Sequence, residues 1–163
     1  MTNKEKVYAA LEGWGIPYRA LEHRALFTAE DVGECVPVDE ETVVVKNLFL
    51  RNDTGTKVYL VSQCYHKHAD LIALRAFLKS SRLGFCSEER LQKFLGVATG
   101  SVSPLCALND TEGKVQVVLD ADLANYKTIC MHPNDNTGST YLAYEDLLKF
   151  IEKTNHVPLF YKV

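Results

Sequence analysis

"VVVKNLFLRN", residues 43–52, reads as a strand with a lysine and an amide at its middle. Three valines precede Lys46 and Asn47, and Leu48, Phe49 and Leu50 follow, so apolar residues anchor both ends of the run. A lysine inside such a strand is expensive to desolvate unless its charge finds a partner or its head reaches a cleft. Snorkelling towards a strand end is the plainer alternative. In a regular strand Asn47 points away from the face that carries Lys46, so the two serve one ligand only if the strand ends or bulges there.

Working outward, the polar turn "RNDTGTK" separates this run from a second apolar run, "VYLVSQCY", which predicts an antiparallel hairpin. Before it, Thr2 or Asn3 can cap a helix carrying Val7, Ala10, Leu11 and Trp14, ended by Gly13 and Gly15. "IPYRALEH" reads as a strand, and "TAEDVGECV" as a short helix capped by Thr28 with Asp31 and closed by Pro37. After the hairpin, "DLIALRAFLKSSRLGF" predicts a helix with Leu71, Leu74 and Leu78 on one face and Arg75, Lys79 and Arg82 on another. "SEERLQKFLG" is a capped helix, "KVQVVLD" and "NYKTICMH" are strands, and "STYLAYEDLLKFIEKT" passes from strand into a closing helix. "VPLFYKV" ends the chain extended. Without a linker, repeat or low-complexity segment, residues 1–163 are expected to form a single α+β domain.

Composition excludes several classes. Hydrophobic residues at 47% and charged residues at 24% fit a globular chain rather than a disordered one. The N-terminal segment has charges inside it and no uninterrupted apolar core, so neither a signal peptide nor a membrane span is expected. A net charge of -3 argues against a generally basic surface wrapped by DNA, while leaving room for a local basic patch that grips a short nucleic-acid end. Cys35, Cys64, Cys86, Cys106 and Cys130 show no close pairing, and an odd number suits reduced thiols in the cytoplasm.

Three further stretches carry chemistry. "GSVSP", Gly100 to Pro104, offers a glycine, two hydroxyls and a fixed exit, and such a loop can aim backbone N–H groups at a carbonyl or phosphate oxygen; a connecting turn is the commoner meaning. "MHPNDNTGST" puts His132 before a proline, hence in extended backbone, and follows it with Asn136 and Thr137, which suit a lined pocket or a hydrogen-bonded turn. Cys64, His66 and His68 alternate as on one strand face, but no further ligand is suitably spaced, so no metal is expected. Serine-hydrolase, nucleotide-binding and zinc-protease fingerprints do not occur.

"VVVKNLFLRN", "GSVSP" and "HPNDNTGST", in that order and spacing, resemble the YbaK-like aminoacyl-tRNA deacylases, the family that includes the editing insertion of bacterial prolyl-tRNA synthetases. "LEHRALFTAEDV", "LRAFLKSSRLGFCSEERL" and "GSVSPLCAL" extend the likeness over nearly the whole chain. The lysine-asparagine pair followed by Leu-Phe-Leu is most similar to the free-standing members that hydrolyse alanyl-tRNA(Pro). Asn134 and Asp135 depart from the commoner His-Pro-Leu form.

The resemblance implies a mixed, partly barrel-like sheet flanked by helices, with Lys46, the loop Gly100 to Pro104 and His132 around one pocket. It implies that Lys46 binds phosphate or carbonyl oxygen at the terminal adenosine. Backbone N–H groups of Gly100, Ser101, Val102 and Ser103 would hold the ester carbonyl, and Asn47 would orient the ribose or the substrate amine. His132, Pro104, Asn136 and Thr137 would shape the aminoacyl pocket, with a ribose hydroxyl assisting the water. Arg75, Lys79 and Arg82, with Lys67 nearby, would contact acceptor-stem phosphates. The expected substrate is a mischarged tRNA and prolyl-tRNA synthetase a partner, with no cofactor, membrane or DNA involved. A cysteinyl-tRNA deacylase and a non-catalytic module binding the tRNA end or a synthetase remain alternatives.

Overall fold

Strand β2 (Thr42–Arg51) is the hub of the computed structural model, which describes residues 1–162. Val43, Val45, Leu48, Phe49 and Leu50 are buried, as the apolar run requires. The expected hairpin forms: β2 pairs with β3 (Val58–Cys64) in unbroken antiparallel register from Val45 opposite Cys64 to Arg51 opposite Val58. With no bulge, the side chains of Lys46 and Asn47 stand on opposite faces.

The other strands are β1 (Arg19–Glu22), β4 (Gly84–Phe85), β5 (Val115–Asp120), β6 (Thr128–Met131), β7 (Gly138–Ala143) and β8 (Leu159–Tyr161). They form a mixed sheet in the order β1-β7-β6-β2-β3-β5-β8, with β4 added to β2. The pairs β2–β6, β3–β5 and β5–β8 are parallel, and the rest antiparallel. The sheet stays open, with β1 and β8 at its ends.

The edge of β2 that faces away from β3 is shared. Its first residues, Thr42 to Val44, pair with β6, and its last, Leu50 and Arg51, pair with β4. Between them the edge has no neighbouring strand. Phe49 accepts from the Cys86 N–H on that side, so Asn47, two residues earlier, turns its own backbone N–H and C=O into the same gap.

Helices cover both faces. α1 (Asn3–Gly13), opened by a capping box of Thr2 and Glu5, brings Val7 and Leu11 to the core that α5 (Tyr144–Lys153) joins through Leu147, Phe150 and Ile151. α3 (Leu71–Leu78) sets Leu74 against Leu48, Leu50 and Val61, and α4 (Glu88–Leu95) sets Leu91 and Leu95 against Phe49 and Leu60. α2 (Ala29–Cys35) has the expected Thr28–Asp31 capping box and buries no residue fully. Among the described residues no helix is long and apolar enough to cross a membrane.

Two sequence expectations change. α3 stops at Leu78 because Lys79 takes a left-handed conformation at φ 52°, and the Ser80 N–H closes back on the Arg75 carbonyl. Only Arg75 of the basic trio is therefore helical; Lys79 is the cap and Arg82 lies in the turn before β4. Strand β3 ends at Cys64 and a turn follows, so His66 and His68 do not alternate with Cys64 along a strand.

That turn is fixed by charge. The Lys67 ammonium sits 2.9 Å from Asp120 and 2.7 Å from Asp122, and Lys162 also pairs with Asp122. Burial pushes the Asp120 carboxyl up, but Lys67 and the Cys64 and Asp122 N–H groups outweigh it and hold it below the usual range. Lys162 and Lys67 bring Asp122 down to about 2. Because both folded-state values are lowered, their stabilisation is complete above the ordinary carboxylate range and is lost as pH falls from about 4 towards 2. Melting temperatures taken down that range should fall more steeply for the natural protein than for Asp120→Asn. Parallel acid limbs would contradict this account.

Candidate active site

The gap in the β2 edge opens into a cavity of about 460 Å³ whose lining includes Lys46, Asn47, Tyr65, Phe85, Gly100, Val102 and His132. β2 runs across it, Lys46 entering from the α3 side of the sheet and the loop at Gly100 from the α4 side. Two side chains on opposite faces thus reach one cavity because the cavity lies at a strand edge.

The Lys46 ammonium donates to the Lys67 carbonyl at 3.1 Å and stands 5.6 Å from the Tyr65 ring centroid. No carboxylate pairs with it among the described residues. Gln63, opposite Lys46 in the register, donates to the same carbonyl at 3.1 Å. Lys67 therefore serves the site through its backbone. Its charge, expected on tRNA phosphates, is taken up by Asp120 and Asp122.

Asn47 also differs from expectation. Its Oδ1 accepts from the buried Ser62 hydroxyl at 2.7 Å, and its Nδ2 donates to the Val102 carbonyl at 2.9 Å. The side-chain amide ties the loop Gly100 to Pro104 to β2 rather than reaching for a ribose.

Within that loop the donors divide. Gly100 has φ +90°, a conformation that favours glycine. The Ser101 N–H donates to Ala98, and the buried Ser103 hydroxyl accepts from Leu105, capping the short 3₁₀ helix Pro104–Asn109. Pro104 is buried as the first residue of that helix. The N–H groups of Gly100 and Val102 have no acceptor among the described residues, and both residues line the cavity. The Ser103 N–H also has no acceptor among the described residues, but Ser103 is buried outside the lining, so Gly100 and Val102 are the members of the expected donor set at the cavity.

His132 follows the last residue of β6, where that strand leaves β2. Its Nδ1 lies 3.2 Å from the Gly138 carbonyl, which can only accept, so Nδ1 carries the proton and Nε2 is bare in the neutral ring. Burial lowers its pKa further than the Gly138 bond raises it, keeping the ring neutral at pH 7. Asn136 and Thr137 are not in the lining: Asn136 donates to Leu26, and Thr137 bonds to Asp135 and Lys4. Arg75, Lys79 and Arg82 are exposed outside the cavity.

Sequence reasoning missed Tyr65, Phe85 and Asn134. Asn134 is buried at φ 60°, donates to the Leu105 carbonyl at 3.1 Å and accepts from the Cys106 thiol at 3.2 Å. It clamps the His132 loop to the 3₁₀ helix; asparagine's tolerance of left-handed backbone after a proline was the available signal.

The chemistry of the cavity is limited. Among the described residues no aspartate or glutamate lines it. Its thiol, Cys86, is pushed up by burial, and burial drives the neighbouring core thiols Cys64 and Cys106 to about 12, so no thiolate forms at neutral pH. What it offers is a cation, the Gly100 and Val102 N–H groups without an acceptor of their own, and a neutral imidazole, a set suited to holding an already activated carbonyl for water.

Residues 23–150 match the model of the aminoacyl-tRNA editing domain family. The chain is 39% identical over 152 residues to the prolyl-tRNA editing protein ProX of Acetoanaerobium sticklandii, covering 93% of this chain and 92% of that protein. It is 34% identical over 151 residues to the prolyl-tRNA synthetase associated domain-containing protein 1 of Danio rerio, covering 91% and 81%. A crystal structure described as a candidate trans-editing enzyme for prolyl tRNA synthetase superposes with a TM-score of 0.76 over all of this chain and 98% of that one; at 21% identity the likeness is one of fold.

Proposed function

Because the chain belongs to the aminoacyl-tRNA editing domain family, we propose that it is a trans-editing deacylase that hydrolyses the aminoacyl ester of mischarged tRNA, with alanyl-tRNA(Pro) as its substrate. The observation that carries this reading is the convergence of Lys46, the Gly100 and Val102 N–H groups and His132 on one cavity free of carboxylate and thiolate.

In this mechanism the Gly100 and Val102 N–H groups receive the ester carbonyl as negative charge develops on its oxygen. Lys46, held by the Lys67 carbonyl, binds phosphate or carbonyl oxygen at the terminal adenosine. Water adds to the carbonyl carbon and the bond to the ribose oxygen breaks, releasing alanine and uncharged tRNA. The neighbouring ribose hydroxyl takes part in the proton transfer. His132 and the buried loop behind it bound the aminoacyl end. A second hydrolytic site has a physical rationale, since one or two methylenes give a synthetase only about 10- to 200-fold discrimination.

Exposed Arg75, Lys79 and Arg82 lie along the route from α3 to β4 and supply charge for acceptor-stem phosphates. Reversing Arg75 and Arg82 together should raise KM for tRNA and make it depend less on salt than in the natural protein, while leaving hydrolysis of a short aminoacyl-nucleoside ester unchanged. Equal losses on both substrates would remove the phosphate role. Prolyl-tRNA synthetase, which makes the mischarged product, is the partner this reading implies, and the cytoplasm the place.

The cysteinyl-tRNA reading is separated by presenting alanyl-tRNA(Pro) and cysteinyl-tRNA(Pro) side by side. Faster release of alanine supports the proposal; faster release of cysteine reassigns the substrate. Tight tRNA binding without release of either marks a binding module.

A further inference from the structure

We infer that Phe85 is the stacking platform for the terminal adenine of the tRNA, an assignment that rests on the deacylase reading above. Phe85 is 59% exposed, yet it is not a loose side chain. β4 holds it by pairing Phe85 with Leu50 and Gly84 with Arg51, and the Cys86 N–H donates to the Phe49 carbonyl. It belongs to none of the buried clusters and lines the cavity that contains Lys46 and His132. A large apolar ring whose backbone is anchored at the mouth of the cavity offers a flat face with no partner inside the fold.

The position fits a nucleoside. Along β2, Asn47 marks the end of the cavity tied to Val102 and the oxyanion donors, and Leu50 marks the end paired with Phe85. Three residues of strand separate them, about 10 Å, the scale of one nucleoside from its acylated ribose hydroxyl to its base. Lys46 precedes Asn47 on the strand, so its ammonium stands at the ester end of the cavity, away from Phe85. Beyond Phe85 the surface turns basic: the Arg51 guanidinium lies beside Gly84, and Arg82 is in the turn leading into β4. The loop and Lys46 thus lie at the ester end and the aromatic ring at the base end, with Arg51 and Arg82 beyond it for phosphates of the preceding nucleotides.

Stacking on an aromatic side chain is tolerant of base identity and typically changes affinity by about 5- to 150-fold on removal. The test compares binding of uncharged tRNA(Pro) ending in CCA with the same tRNA ending in CC, for the natural protein, Phe85→Ala and Phe85→Trp. The natural protein and Phe85→Trp should prefer the CCA end, and Phe85→Ala should lose most of that preference with its melting temperature unchanged. In deacylation, Phe85→Ala should raise KM while kcat at saturation stays near that of the natural protein. A full CCA preference in Phe85→Ala overturns the assignment. Loss of all deacylation by the natural protein would instead overturn the parent reading, because the end-preference in binding is measured without turnover.

Discussion

Lys46→Ala should lower the single-turnover rate of alanyl-tRNA(Pro) hydrolysis by about 10²- to 10³-fold, the scale of removing one preorganised charge stabiliser. The protein should remain folded, because nothing depends on the ammonium structurally. No carboxylate is left unpaired, and the Lys67 carbonyl keeps its bond from Gln63. Thermal unfolding measured beside the rate separates the two effects. A variant that hydrolyses at the natural rate contradicts the role of Lys46, and a large fall in melting temperature would mean that the lysine holds the fold rather than the substrate.

Asn47→Asp should be nearly as damaging, by a different route. The carboxylate can still accept from Ser62, but it cannot donate to the Val102 carbonyl and repels it. The loop then loses its tie to β2, and the Gly100 and Val102 N–H groups lose their alignment. A fall of about 10²-fold in rate is expected. Asn47→Ala should also destabilise the fold by about 1–3 kcal/mol, since it leaves the buried Ser62 hydroxyl without its acceptor. Kinetics of both variants with intact folding of Asn47→Asp would support the clamp. Natural rates in Asn47→Asp would contradict the clamp.

The contrast between Lys46 and Asn47 shows what a sequence can and cannot convey about this site. The apolar run on either side of them made β2 legible, and the turn 52–57 made its hairpin legible. Thr2, Thr28 and Ser87 marked helix starts correctly because a cap is a local hydrogen bond. The split of the β2 edge between β6 and β4 was not legible, because strand periodicity says which faces are buried and nothing about which neighbour an edge acquires. That split is what lets residues on opposite faces meet at one cavity. Lys67 looked like a free surface charge because Asp120 and Asp122 lie over fifty residues away in the chain. Phe85 left no pattern at all, since a strand of two residues has no period.

Lys79 illustrates the same limit at a helix end. The heptad-like spacing of Arg75, Lys79 and Arg82 suits one helical face, but a left-handed cap at Lys79 ends α3 one turn early. The positive charge is retained on that side of the molecule, spread from helix to turn. "HPNDNTGST" divides likewise: His132 reaches the cavity, while Asn134, Asn136 and Thr137 hold the loop around it.

The central claim, that this cavity hydrolyses a mischarged aminoacyl ester, is tested most directly by the release of amino acid from alanyl-tRNA(Pro) and from prolyl-tRNA(Pro) under single-turnover conditions at pH 7. The account predicts that alanine is released far faster than by spontaneous hydrolysis while the correctly charged tRNA is spared. Release of alanine at the spontaneous rate would contradict it.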